Sequence, residues 1–173
     1  LAAGTGANLH ALAPLIAGDQ DWLLVDHDAT LLAAQSRVIA DWARARGWPC
    51  DSRDDEIRVR ADTGVWHVRP RRLDLAHERD ALDPRDFDGA CTTAFLDLVG
   101  AAWLDGLAGW LARAGLPWLS TLTVDGRRGW MPERLEDSLV LDAFERHQGA
   151  DKGFGPALGA QAASHLARRL REH

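Results

Sequence analysis

The chain has 173 residues, 46% apolar and 27% charged, with a formal net charge of −6. That length suffices for one domain with a sizeable core, and the acidic balance argues against a nucleic-acid surface. No apolar run is long enough to span a membrane, and two widely spaced cysteines, Cys50 and Cys91, without a C-x-x-C, point to reduced thiols in a cytoplasmic protein.

Only Leu1, Ala2 and Ala3 precede the glycine pair Gly4-Thr5-Gly6, so the chain is expected to start inside its first strand. The pair itself describes a tight strand-to-helix turn. A short helix follows at 9–17, with Asn8 as N-cap and Pro14 deep enough to kink or tighten it. Trp22-Leu23-Leu24-Val25 is a fully apolar strand that ends in Asp26. Asp28 fits the N-cap of a helix at 29–46, whose apolar stripe is Leu31, Val38 and Trp42, with Gln35 as its polar lapse and Leu32 and Ile39 alongside.

An acidic loop is expected at 51–56. Residues 57–60 and 65–68 then alternate apolar and polar around Asp62-Thr63-Gly64, as a hairpin or as two successive strands. Residues 87–93 read as another buried strand. The next helix, at 98–114, carries Leu96, Val99, Trp103, Leu107, Trp110 and Leu111 at helical spacing. A strand at 116–124, a turn at Asp125-Gly126, a helix at 135–148, a glycine-rich loop at 149–156 and a last helix at 157–172 complete the chain. The last helix is expected to face inward with Leu158, Ala162, Leu166 and Leu170. The eight tryptophans are read as core filling.

Alternating helices and strands predict an α/β fold: a three-layer sandwich with a mostly parallel, Rossmann-like sheet, cut at both ends, in a single domain over 1–173. An acid 20 positions after Gly6, at the end of the second strand, is the layout of a nucleoside site. In that reading Asp26 accepts hydrogen bonds from ribose hydroxyls, and capping is left to Asp28.

With these blocks in order, the chain resembles the class I S-adenosylmethionine-dependent methyltransferases. The resemblance is carried by Ala2-Ala3-Gly4-Thr5-Gly6, Val25-Asp26-His27-Asp28, Leu73-Asp74-Leu75 and Phe87-Asp88-Gly89-Ala90-Cys91-Thr92-Thr93. It is similar in particular to bacterial members with a His-Gln…Asp-Lys-Gly-Phe-Gly…Ala-Leu-Gly segment, seen here as His147-Gln148 and Asp151 to Gly159. The resemblance implies S-adenosyl-L-methionine as cofactor, held by Ala3, Gly4, Thr5, Gly6, Asn8, Asp26, His27, Asp74, Leu75 and Thr93. His27 and Leu75 would clamp the adenine, and Asp74 would accept from its amino group, although a turn aspartate explains Asp74 equally well. Two departures stand out. The acid that usually precedes the glycine loop has no counterpart, and Ala2 replaces the first glycine.

The acceptor is expected to be a small molecule, with Thr92, Asp97, His147, Gln148, Asp151 and Lys152 on its side of the pocket. His147 or Asp97 would serve as base for a hydroxyl acceptor; no catalytic residue is assigned, and no metal is expected. A nicotinamide-binding oxidoreductase shares the glycine turn and the acid, but its third glycine position is Leu9 here. A non-catalytic S-adenosylmethionine-binding domain is the other alternative.

Overall fold

The computed structural model describes residues 1–53 and 55–173; Asp54, in the acidic loop expected at 51–56, lies outside them. The chain divides into two compact units, Leu1–Arg79 and Asp80–His173.

The first unit opens with the glycine turn and α1 (Ala7–Leu12), which tightens into a 3-10 turn at Ala13–Leu15. Pro14 sits at the start of that turn, where its missing N–H costs nothing. Gly6, not Asn8, is the N-cap residue of α1. Next come β1 (Gln20–Asp26) and α2 (Ala29–Arg44). Asp28 caps α2 as its position predicts, Oδ1 accepting from Thr30 N at 2.7 Å and Leu31 N at 3.3 Å. The buried face of α2 is rotated from the expected stripe, onto Gln35, Ile39 and Ala43, and Leu31 is exposed.

Three strands follow: β2 (Cys50–Arg53), β3 (Glu56–Ala61) and β4 (Gly64–Arg72). They overturn the expectation of a mostly parallel sheet. The sheet order is β1-β4-β3-β2, with β1 parallel to β4 but β4–β3 and β3–β2 antiparallel. The cause is the short connection. Only Asp62 and Thr63 separate the paired Ala61 and Gly64, and a two-residue loop can return the chain only antiparallel. Part of the expected acidic loop is thereby recruited as β2. Ile57 opposite Val68 and Val59 opposite Trp66 turn their side chains into a core shared with Leu9, Leu24, Ile39 and Ala43.

The second unit contains β5 (Ala90–Thr93), α3 (Ala101–Ala112), β6 (Trp118–Thr121), α4 (Asp137–Gln148) and α5 (Ala162–Arg171). Its sheet has two strands only, β5 parallel to β6. Strands 22–25 and 87–93, expected in one sheet, therefore belong to two different sheets. Leu96, Val99, Trp103, Leu107, Trp110 and Leu111 are all buried, as their spacing predicts. The Trp110 indole N–H donates to Leu82 O at 2.7 Å, so its one polar atom is satisfied inside the core. Helices α3 and α5 are joined by His165 Nε2 and Arg169 Nε, which reach Asp105 Oδ1 at 2.7 Å and 2.9 Å. Neither cysteine forms a disulfide, and among the described residues no helix is long and apolar enough to cross a membrane.

Candidate functional site

In the first unit the polar groups gather where parallel β1 and β4 end, the edge at which α/β proteins bind ligands. The β1–β4 ladder continues one step past the strands, from Leu73 N to Asp26 O at 3.0 Å. On the opposite edge of β1, Ala3 N donates to Val25 O at 2.9 Å, which brings the glycine turn against the strand end. Gly4 N then donates to Asp26 Oδ2 at 2.8 Å, and Asp28 N to Asp26 Oδ1 at 3.0 Å. The Asp26 carboxylate is the clasp between turn and strand. It is 7% exposed, and His27 Nδ1 lies 3.4 Å from Oδ1.

Gly6 has φ +100. A Cβ there would meet Leu24 and Ile39 at ordinary contact distances of 3.6 and 3.7 Å, so backbone conformation and not space requires glycine. Thr5 and Asn8 are half-buried in the turn and the first turn of α1.

His27 points outward, its side chain 81% exposed, while Arg72 Nε donates to its carbonyl at 3.2 Å. Asp74 builds its own turn. Oδ1 accepts from Ala76 N and Oδ2 from His77 Nδ1, each at 2.9 Å, and these contacts, with the His77 bond the largest, hold its carboxyl below the usual carboxylate range. Leu75 is buried, so its side chain offers no exposed face to an adenine ring.

Sequence reasoning passed over the function of Gln35. Its Nε2 donates to Gly4 O at 2.6 Å, so the turn is held from both sides, by Asp26 on an N–H and by Gln35 on a carbonyl. Its Oε1 is buried without a partner. The signal was present: a lone amide in an otherwise apolar helix stripe.

No protein-family model, curated protein or solved structure matches the chain.

The remaining candidates lie in the second unit. Thr92 is fully buried on β5 with Oγ1 unpartnered, and Thr93 Oγ1 accepts from Thr121 Oγ1 at 3.0 Å across the strand pair. Both strands end in left-handed non-glycine residues, Ala94 (φ 51) and Leu122 (φ 52), conformations that cost energy and concentrate at functional sites.

The 147–155 segment divides by role. His147 is exposed, and Asp151 and Lys152 serve their own loop. Asp151 Oδ1 accepts from Gly153 N at 2.7 Å and Gly155 N at 3.0 Å. Lys152 Nζ donates to the carbonyls of His147, Gln148 and Ala150, at 3.1, 2.8 and 3.2 Å, closing the negative end of α4. Phe154 packs edge-on to Phe95 and Trp103, with ring centroids 5.3 and 5.5 Å apart.

Gln148 reaches out of the segment to a polar partner. Its Nε2 donates to Asp97 Oδ2 at 3.0 Å across 51 positions, and Gly159 lies against its side chain. Of the six residues expected on the acceptor side, Asp97 and Gln148 are in direct contact. Arg128, which sequence reasoning missed, donates from Nη2 to Gln148 Oε1 at 3.4 Å, and nothing in its local pattern announces this.

Proposed function

We propose that the chain is an S-adenosylmethionine-dependent methyltransferase acting on a small molecule, with the nucleoside held at the ends of β1 and β4. The observation that carries this reading is the hydrogen bond from Gly4 N to the Asp26 carboxylate, which sets a glycine turn and a strand-end acid side by side. The pairing of β1 with β4 supports it by bringing Asp26, His27 and Asp74 to one edge.

The residues fit the ribose part of the cofactor. A carboxylate offers about four lone-pair sites. Backbone N–H groups occupy one on each Asp26 oxygen, which leaves acceptor capacity for adjacent hydroxyls. His27, exposed beside it, supplies a flat ring for stacking. Asp74 fits its expected role less well, because both its oxygens already accept hydrogen bonds. When bound, the cofactor supplies an electrophilic methyl group on a sulfonium. The protein's part is to bind and orient, with the Gly4–Asp26–Gln35 brace keeping the turn rigid.

Calorimetric titration with S-adenosylhomocysteine tests the reading. Asp26→Asn exchanges one acceptor for a donor and removes the charge, and is expected to weaken binding about ten- to a hundredfold. Asp28→Asn, which preserves the cap, should leave affinity unchanged. Equal affinities for the two variants, or no binding by the unmodified protein, would overturn it. Transfer of a labelled methyl group into extracted metabolites would then identify the acceptor.

A further inference from the structure

The second unit holds one carboxylate whose protein partners leave it incomplete. Asp97 is 7% exposed. Its Oδ2 accepts from the neutral amide of Gln148, and its Oδ1, shut off from solvent, meets no donor. Among the described residues no ion pair is formed to it. A buried carboxylate oxygen without a donor is an arrangement proteins tolerate where another group completes it.

Two further polar groups of the second unit are incomplete in the same way. Thr92 Oγ1 is buried and unpartnered, and so is Oγ of Ser120, the residue opposite Thr92 in the β5–β6 register. In-register side chains of paired strands share one face, so two hydroxyls without partners stand together. Asp97 follows five positions after Thr92, beyond the left-handed Ala94.

From these observations we infer that Asp97 anchors the protonated primary amine of a small ligand, with Gln148 as the residue that positions the carboxylate. An ammonium carries three donors, no acceptor and a charge complementary to a carboxylate. A neutral alcohol would offer Oδ1 a single donor and no charge to complement a carboxylate. A divalent metal would require more oxygen ligands, and among the described residues no group of three or more His, Cys, Asp or Glu converges.

Gln148 is oriented by its two neighbours. Its N–H2 meets the Asp97 carboxylate and its carbonyl oxygen meets the Arg128 guanidinium, the one orientation that matches donors with acceptors on both sides. Arg128 lies along α4. Its guanidinium lies 3.8 Å from the Phe144 ring centroid, and its hydrogen bond to Gln148 is long, at 3.4 Å. It stands between β6 and α4 on a stretch with no helix or strand. The site is confined to the second unit and does not rest on the nucleoside reading of the first.

The test is a nuclear magnetic resonance titration that follows the side-chain amide of Gln148 in the whole chain. Ethylammonium chloride is the probe, with potassium chloride and ethanol as charge and shape controls. Ethylammonium is expected to shift the Gln148 amide saturably, and neither control should. In Asp97→Asn the apparent affinity for ethylammonium should fall about tenfold or more. A Gln148 signal unmoved by ethylammonium, moved equally by potassium or ethanol, or titrating alike in Asp97→Asn would overturn the assignment. Should Asp97→Asn fail to fold, the three probes on the unmodified protein decide the question.

Discussion

Gly4 and Asp26, separated by 22 positions, are joined by a hydrogen bond of 2.8 Å from the glycine N–H to Oδ2 of the carboxylate. The second oxygen of the same carboxylate accepts from Asp28 N. One side chain thus fixes both the start of the chain's first turn and the exit from β1.

Asp26 should accordingly matter for stability as well as for ligand. In Asp26→Asn one of the two backbone N–H groups faces an amide donor, at a cost of about 1.5–3 kcal/mol. Urea denaturation should show that loss, while Asp28→Asn stays within a few tenths of a kcal/mol of the unmodified protein, because asparagine caps a helix almost as well as aspartate. A similar small loss in both variants would show that the clasp is dispensable.

Gly100 is required by space alone. Its φ of −85 suits any residue, but a Cβ would stand 2.7 Å from Phe154 O and 3.0 Å from Pro156 O. Backbone oxygens cannot yield as a flexible side chain does. Gly100→Ala should destabilise by about 1–3 kcal/mol and loosen the loop at 153–157. Denaturation together with limited proteolysis at that loop measures both effects.

His10 stacks on Trp42 at 4.4 Å, and its Nε2 is buried without a partner. Burial first, and the nearby Arg46 second, lower its pKa from the ordinary value of 6.5. The folded state therefore binds this proton less readily than the unfolded chain. The associated stability is fully present above about pH 6.5 and is lost as pH falls from there through the lowered value. His10→Phe keeps a ring on Trp42 and should flatten the stability profile in that window. Thermal melts between pH 5 and 7.5 supply the comparison; an unchanged slope would exclude His10 as its source.

Lys152 closes the carbonyl end of α4 with three hydrogen bonds. Lys152→Met keeps the aliphatic stem and removes those donors, and should cost about 0.5–1 kcal/mol. Amide hydrogen exchange should quicken in the last turn of α4 and leave α3 unaffected.

What the sequence by itself determined about this protein is local. The spacing of Trp103, Leu107, Trp110 and Leu111 marks the buried face of α3 because a helix repeats every 3.6 residues whatever it packs against. Asp28 as a cap follows from bonds two and three residues away. The glycine turn and the strand-end acid were likewise legible, each from its own few residues.

Tertiary structure decided the rest, since it depends on which distant segments meet. Apolar strands resemble one another in sequence: the short loop at Asp62-Thr63 marks β3 and β4 as antiparallel neighbours, but nothing local says that β1 joins β4 in parallel while β5 enters a different sheet. Gln35 reads as a lapse in a stripe until the fold brings it to the Gly4 carbonyl, 31 positions away. Asp97 and Gln148 were legible as candidates on separate segments; only folding joins them across 51 positions and leaves one carboxylate oxygen buried without a donor. Hydrogen bonds of that range leave no periodicity in the chain, because their partners are chosen by packing and not by spacing.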